Sequence, residues 1–362
     1  MPMNLTALKG TVQGYFDRAF VEVAQTDYET PLANSELGYQ AKLAPNTGTF
    51  VQFRVIGELP LDTQANSDSP KTYTDEQEPS AAMTLSDEVF QASIEEIAGY
   101  VSLRARLIEQ DPIDILPTVK KRFVKWARRM IHTLANDRMV IPMGAPVTNL
   151  SNTYIEAPLP FRSIYAGGKA AFSGMQAEDF ISLPDILRAV ALLRNANVPM
   201  IKDRYACVID SAGIQQLALG DSRFGDRVEA FKDSKQRVLS AGDTIDYAGV
   251  LFKVQSDPYR CHLPGAGGEL RVRKNAGKVR VCHIFGENAW GYLDLGEAGS
   301  KQRQLLAPNF KVQDITVTGN HITCALRFPV QCLVMRRDYG LNLAYVSAFD
   351  EVPGDLPDED AE

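Results

Sequence analysis

No apolar run in the 362 residues approaches the ~18–20 that a membrane span needs. The N-terminus, MPMNLTALKGTVQGYF, lacks the charged-then-apolar pattern of a secretory signal. Both absences lead to the expectation of a chain that stays in the compartment where it is made, with no membrane partner. Cysteine is scarce: Cys207, Cys261, Cys282, Cys324 and Cys332 are the whole supply. An odd number in a long chain fits reduced thiols, most of them small core residues, rather than a disulfide framework. Histidine is scarcer still, with His132, His262, His283 and His321. There is no Gly-x-Ser-x-Gly, and neither YAGGKAAF (Tyr165–Phe172) nor PGAGGE (Pro264–Glu269) has the frame of a phosphate-binding loop. Nothing local supports a Cys–His nucleophile. The chain is expected to be no enzyme and to need no cofactor.

A basic excess is also missing. The formal charge is −7, and the last thirteen residues account for it with seven acids and no base: Asp350, Glu351, Asp355, Asp358, Glu359, Asp360 and Glu362. Without them the body holds 38 charges of each sign. A neutral body argues against a dedicated nucleic-acid binder. The tail, 350–362, has too little apolar surface to fold alone and is expected to be disordered.

What the chain does have is 45% apolar residues and hence a sizeable core. Residues 1–47 read as an arm with one short helix near Leu8–Val23. GTFVQFRVIGELPL (Gly48–Leu61) is a strand whose Val51, Phe53 and Val55 face away from Phe50, Gln52 and Arg54. FQASIEEIAGYVSLRARL (Phe90–Leu107) is a second, with Gly99 as a bulge or kink. The polar, acidic stretch between them makes sense as the tip of a projecting hairpin.

Next comes a helix over 111–139, started by Asp111-Pro112 and kinked or restarted at Pro117. Val119, Phe123, Trp126, Met130, Ile131 and Leu134 recur at helical spacing and should form its buried stripe. Lys121, Arg122, Lys125, Arg128 and Arg129 should form the exposed side, and His132 reads as part of the same wet face. Ser182 with Asp185 caps a helix that Val198-Pro199 stops; RYACVID is a buried strand, SAGIQQLAL a helix, and GDTIDYAGVLFKVQSD a hairpin. The last third is strand after strand. The order is α+β, without a regular βαβ repeat.

Two constellations invite chemistry. Cys261-His262 and Cys282-His283 place four metal-capable side chains within 23 residues, which would suit a metal-dependent enzyme. Neighbours on a strand point apart, however, and no C-x₂-C or H-x₃-H spacing is present. The basic helix would suit a DNA-binding protein, yet its long apolar stripe reads more simply as a scaffold helix.

Four collinear patterns carry a resemblance: GTFVQFRVIGELPL, ASIEEIAGYVSL, LPDILRAVALLRNANVP with YACVID, and FGENAWGYLDL (Phe285–Leu295). Together, over about residues 40–349, they resemble the major capsid proteins of tailed bacteriophages, with the Hong Kong 97-type shell fold, and more narrowly the N-four-like branch. The resemblance implies an N-terminal arm (1–47), an extended E-loop hairpin (48–107) and a P domain (108–180) built on a spine helix (111–139). It further implies an A domain (181–315), P-domain strands returning over 316–349, and the acidic tail. It implies a structural subunit of the virion that forms pentamers and hexamers of an icosahedral shell around double-stranded DNA, assembled in the host cytoplasm. Scaffolding, portal and decoration proteins would be its partners. An encapsulin-like nanocompartment shell is the alternative with the same fold.

Arg54, Lys71, Asp75, Glu76 and Glu78 are the expected inter-subunit contacts. Phe123, Trp126, Met130 and Leu134 are the expected spine core, and Lys121, Lys125, Arg128 and Arg129 a side facing DNA or a neighbour. Some members cross-link a loop lysine to a neighbour's asparagine, a role for which Lys71 and Asn342 are the candidates. The chain departs from the family pattern between Tyr259 and Arg280, and where TGNHITCALRFP replaces the usual Gly-x-x-Gly-Trp approach.

Overall fold

The computed structural model describes residues 32, 37–41, 50–56, 87–104, 115–141, 147–149, 154–155, 160–235, 244–264, 277–293, 309–314 and 321–349. In chain order the first elements are β1 (Tyr39–Ala41), β2 (Phe50–Ile56), β3 (Asp87–Ser93), β4 (Glu95–Arg104) and the spine helix α1 (Ile115–Val140). Strands β5 (Val147–Asn149), β6 (Tyr154–Ile155) and β7 (Arg162–Tyr165) lead to helix α2 (Leu183–Asn195), strand β8 (Tyr205–Asp210) and helices α3 (Ser211–Gly220) and α4 (Ser222–Lys235). Strands β9 (Thr244–Tyr247), β10 (Val250–Gln255), β11 (Tyr259–Cys261), β12 (Val279–Phe285) and β13 (Trp290–Leu293) come next. The chain then runs through β14 (Asn309–Asp314), β15 (His321–Val330), β16 (Cys332–Val334) and β17 (Gly340–Val346).

A seven-stranded sheet, in the order β7-β17-β12-β8-β10-β9 with β11 attached to β12, organises the molecule. Its central strands are buried on both faces, which is why YACVID and GLNLAYV read as mostly apolar runs rather than alternating ones. The pleat sorts the side chains. Tyr205, Cys207, Ile209, Cys282, Ile284, Leu343 and Tyr345 join the core under α2, α3 and α4. Ala206, Val208 and Phe285 join the core of α1 on the other side.

Local chemistry sets the element ends. Ser182 N–H and Oγ both donate to the Asp185 carboxylate, at 3.3 and 2.5 Å, at the start of α2. Asp210 accepts from Gly213 N–H at 3.1 Å and so caps α3. The β9–β10 hairpin turns through Ala248 (φ 53°) and Gly249 (φ 77°), two left-handed residues as a tight hairpin requires.

Three smaller sheets surround α1: β1-β13-β16, β14-β15-β4 and β2-β3-β5-β6. The helix lies in one core with Phe53, Trp290, Leu326 and Phe328. Pro117 stands in the first turn of the described helix, where its missing N–H would be unpaired anyway, and the helix runs on unbroken to Val140, so it does not restart there. Asp111 and Pro112, and the short helix expected near Leu8–Val23, lie outside the described residues.

One expectation is corrected. Gly99 is no bulge: β4 pairs with β15 in unbroken register, Leu326 opposite Gly99. The glycine is there because Trp126 covers it, and a Cβ would come within 2.8 Å of the indole. Gly99→Val is therefore expected to lower stability by about 1–3 kcal/mol through overpacking, with a shift in tryptophan emission; unchanged stability and emission would contradict this packing. β17 enters the large sheet between β7 and β12. Its register with β12, from Val279↔Val346 to Phe285↔Gly340, supplies the ladder. β7 forms an edge of that same sheet.

Candidate assembly surfaces and the spine–sheet seam

The β2–β3 pair is set by alternation. β2 and β3 pair antiparallel from Phe50↔Ser93 to Ile56↔Asp87. Val51, Phe53 and Ala92 are buried in the α1 core, and Phe53 rests on Gly291, where a Cβ would come within 2.6 Å. The two strands are thus rooted in the body at one end. Arg54 lies on β2 opposite Val89; Lys71, Asp75, Glu76 and Glu78 lie outside the described residues. Beyond Ile94 the chain leaves this pair, and β4 pairs with β15 instead. On the outer side of that pair Tyr100 is exposed, and Glu96 forms an ion pair with Arg327.

The spine helix is turned further than its large apolar residues suggest. Val119, Phe123, Val124, Ala127, Ala135 and Met139 are buried, while Trp126, Met130, Ile131 and Leu134 are half-buried at the rim of the same core. Small Ala127 and Ala135 are among its most deeply buried residues, at 0% and 1% exposure, on a close-packed helix face. Trp126 packs edge-on against Phe123 and Phe328, with centroids 6.3 and 5.9 Å apart. Arg122, Lys125 and Arg129 are exposed, but Arg128 is buried at 6% exposure, which corrects its expected place on the wet side. Burial pulls the Arg128 guanidinium down to about 10, still charged near neutrality. His132 is fully buried as well, not part of a wet face. The side chain of Lys121 is outside the described part of the helix. Near the helix C-terminus Arg138 pairs with Glu95, tying α1 to β4.

One polar cluster crosses the boundary between α1 and the large sheet. His283 of β12 meets Asn342 of β17 through Nδ1 at 2.8 Å and Asn136 of α1 through Nε2 at 2.8 Å. Asn342 Nδ2 donates to the carbonyls of Met139 (2.7 Å) and Phe161 (3.4 Å), and Asn136 Nδ2 to that of Asp257 (3.1 Å). All three side chains are fully buried. Burial holds the imidazole down to about 4, outweighing the upward pull of its hydrogen bond to Asn342, so the ring is neutral at pH 7. Sequence reading missed this seam. Its signal was a polar residue within each of two largely apolar strands, His283 in VRVCHIF and Asn342 in GLNLAYV. The same burial removes Asn342 as a cross-link acceptor for Lys71: both ends of its amide are engaged inside the subunit.

The Cys–His pairs come apart. Cys282 faces the core of α2 to α4 beside Cys207, while His283 points to α1. Cys261 belongs to a third core with Val279 and Val281. Among the described residues no three His, Cys, Asp or Glu side chains converge as metal ligands would. All five cysteines are buried. Burial pushes the Cys261 and Cys332 thiols up to about 12, and Cys282 well above its ordinary value. These thiols stay protonated and make poor nucleophiles. No described helix is long and apolar enough to cross a membrane.

No family model and no curated protein matches the chain. Solved structures do. The capsid of Ralstonia phage GP4 superposes with a TM-score of 0.62 at 14% identity, covering 91% of this chain and 93% of that one. The capsid of cyanophage Pam1 gives 0.53 at 10% identity over 83% and 86% of the two chains. The head of Helicobacter pylori bacteriophage KHP40 gives 0.51 at 12% identity over 89% and 92%. From the rooted β2–β3 pair to spine helix to central sheet, this chain has the α+β fold of bacteriophage capsid subunits.

Proposed function

We propose that the chain is a major capsid protein, a non-enzymatic subunit that assembles through pentamers and hexamers into an icosahedral phage head enclosing double-stranded DNA. The observation that carries the reading is the likeness to capsid subunits along more than nine-tenths of both chains in the Ralstonia phage case. The architecture supports it. A two-stranded hairpin is barely stable in water alone, so the part of 48–107 beyond the rooted base needs a surface, and a neighbouring copy supplies one. Repeated heterologous contacts of that kind close into shells. The division into arm, E-loop, P domain and A domain belongs to the same proposal, with β7 and β17 joining the A-domain sheet. Arg122, Lys125 and Arg129 then form a lining toward packaged DNA or a neighbour's acids, without sequence readout. Scaffolding, portal and decoration proteins are the partners such a subunit takes in the virion.

The acidic loop residues Asp62, Asp68, Asp75, Glu76, Glu78, Asp87 and Glu88 are proposed to pair with basic side chains of adjacent subunits. Raising salt from about 0.1 to about 1 M shortens the screening length from ~10 to ~3 Å, so sedimentation velocity should show capsomers giving way to slower species. Capsomers indifferent to salt would overturn that pairing. Nuclease-resistant DNA in particles from infected cells tests the phage reading against an encapsulin-like one. Particles filled with a protein cargo instead of DNA would overturn it.

A further inference from the structure

Helix α2 has two apolar faces. Leu183, Ile186, Ala189, Val190 and Leu193 are buried against the large sheet. On the opposite side Pro184, Leu187, Ala191 and Leu192 recur at i, i+3, i+7 and i+8, all exposed, Leu187 at 41% and Leu192 at 43%. Phe180, three residues before the helix, is exposed too. The outer face of a helix is ordinarily polar, so an exposed apolar stripe points to something that covers it. Arg188 lies within the stripe, and Arg194 flanks the helix with its guanidinium near the turn at Gly249, where a Cβ would stand 3.4 Å from its Nη2. Arg188 reaches across the turn at Gly168, where a Cβ would stand 3.7 Å from its Nη1. No ion pair of either arginine occurs among the described residues.

The end of the sheet delivers a segment to this place. Val346, the last residue of β17, pairs parallel with Phe180, and its N–H donates to Asp179 O at 2.9 Å. The chain therefore leaves the fold beside the N-terminal end of α2, with Phe349 exposed. Its remaining residues, DEVPGDLPDEDAE, carry seven acids, no base, and Val352 and Leu356 as apolar side chains. Pro353 and Pro357 favour an extended course. Thirteen residues at about 3.1 Å each reach ~40 Å, against ~20 Å for the length of α2. Acids are also favoured near a helix N-terminus.

We propose that residues 350–362 lie along the exposed face of α2 in their own chain, with Val352 and Leu356 over Leu187 and Leu192 and the acids against Arg188 and Arg194. The tail is then the cover of an apolar face on the unassembled subunit. That such a face afterwards meets a second copy rests on the capsid reading; the docking itself does not.

The test places a benzophenone amino acid at Leu192 of the full-length chain and maps adducts by mass spectrometry in dilute, low-salt solution. The expected adduct joins α2 to a peptide within 350–362 of the same molecule and is lost in about 1 M salt. Arg188→Glu with Arg194→Glu, both at exposed positions, should lower its yield about fivefold. Adding Asp358→Lys, Glu359→Lys and Asp360→Lys to that variant should restore it. Adducts only to other segments, adducts only between two molecules, or a yield indifferent to both charge reversals would each overturn the proposal. Electron microscopy of the same sample reports on shell formation independently, so the two readings fail separately.

Discussion

Asp210→Ala is expected to destabilise the isolated subunit by about 3–5 kcal/mol in urea unfolding, the range for breaking a buried ion pair from one side. Asp210 closes β8 at 3% exposure. Its carboxylate caps α3 through Gly213 N–H, accepts from the Tyr345 hydroxyl of β17, and pairs with Arg280 of β12. Three adjacent strands and a helix thus converge on one side chain. Gly213 lets the helix come that close, since a Cβ there would stand 2.6 Å from the Tyr345 hydroxyl. Alanine removes the cap and leaves the buried guanidinium without its carboxylate. Asp210→Asn keeps a capping oxygen and the volume but not the charge, so it should fall between alanine and wild type. An alanine variant within about 1 kcal/mol of wild type, close to the ordinary scale of a surface change, would show that this convergence contributes little.

The second large effect is a pH dependence carried by His283. Its folded value of about 4 lies below the unfolded value of 6.5. Between those values the unfolded chain binds a proton that the folded chain does not, so stability falls as pH falls. The contribution is complete above about pH 6.5, declines by about 1.4 kcal/mol per unit below it, and levels off below about pH 4, for a total of about 3 kcal/mol. His283→Gln removes the titrating group while its amide still faces Asn136 and Asn342. The stability gap between wild type and this variant should therefore change by about 2 kcal/mol between pH 7 and pH 5. Parallel pH profiles would contradict a neutral His283 in the seam.

Elements governed by neighbours in sequence were legible in advance. The Ser182–Asp185 cap, the buried strand YACVID and the hairpin through Ala248-Gly249 each arise from a few adjacent residues. Long-range arrangement was not legible to the same degree. Nothing local says that β17 inserts between β7 and β12, because an apolar strand fits any position in a sheet buried on both faces. The rotation of α1 was misjudged for a related reason. Periodicity weights Trp126, Met130 and Leu134, but Ala127 and Ala135 are buried more deeply, and the turn carries Arg128 and His132 inside. The Asn136–His283–Asn342 seam joins residues 59 and 147 positions apart, and only the assembled sheet brings them together.

That this fold serves as a shell subunit is tested most directly by electron cryomicroscopy of the purified full-length chain, alone and after addition of a crowding agent. The expected result is closed particles, or free rings of five and six copies, in which the segment beyond Ile56 and before Asp87 crosses onto a neighbouring subunit. A chain that stays monomeric under every assembly condition, with that segment folded back on its own body, would contradict it.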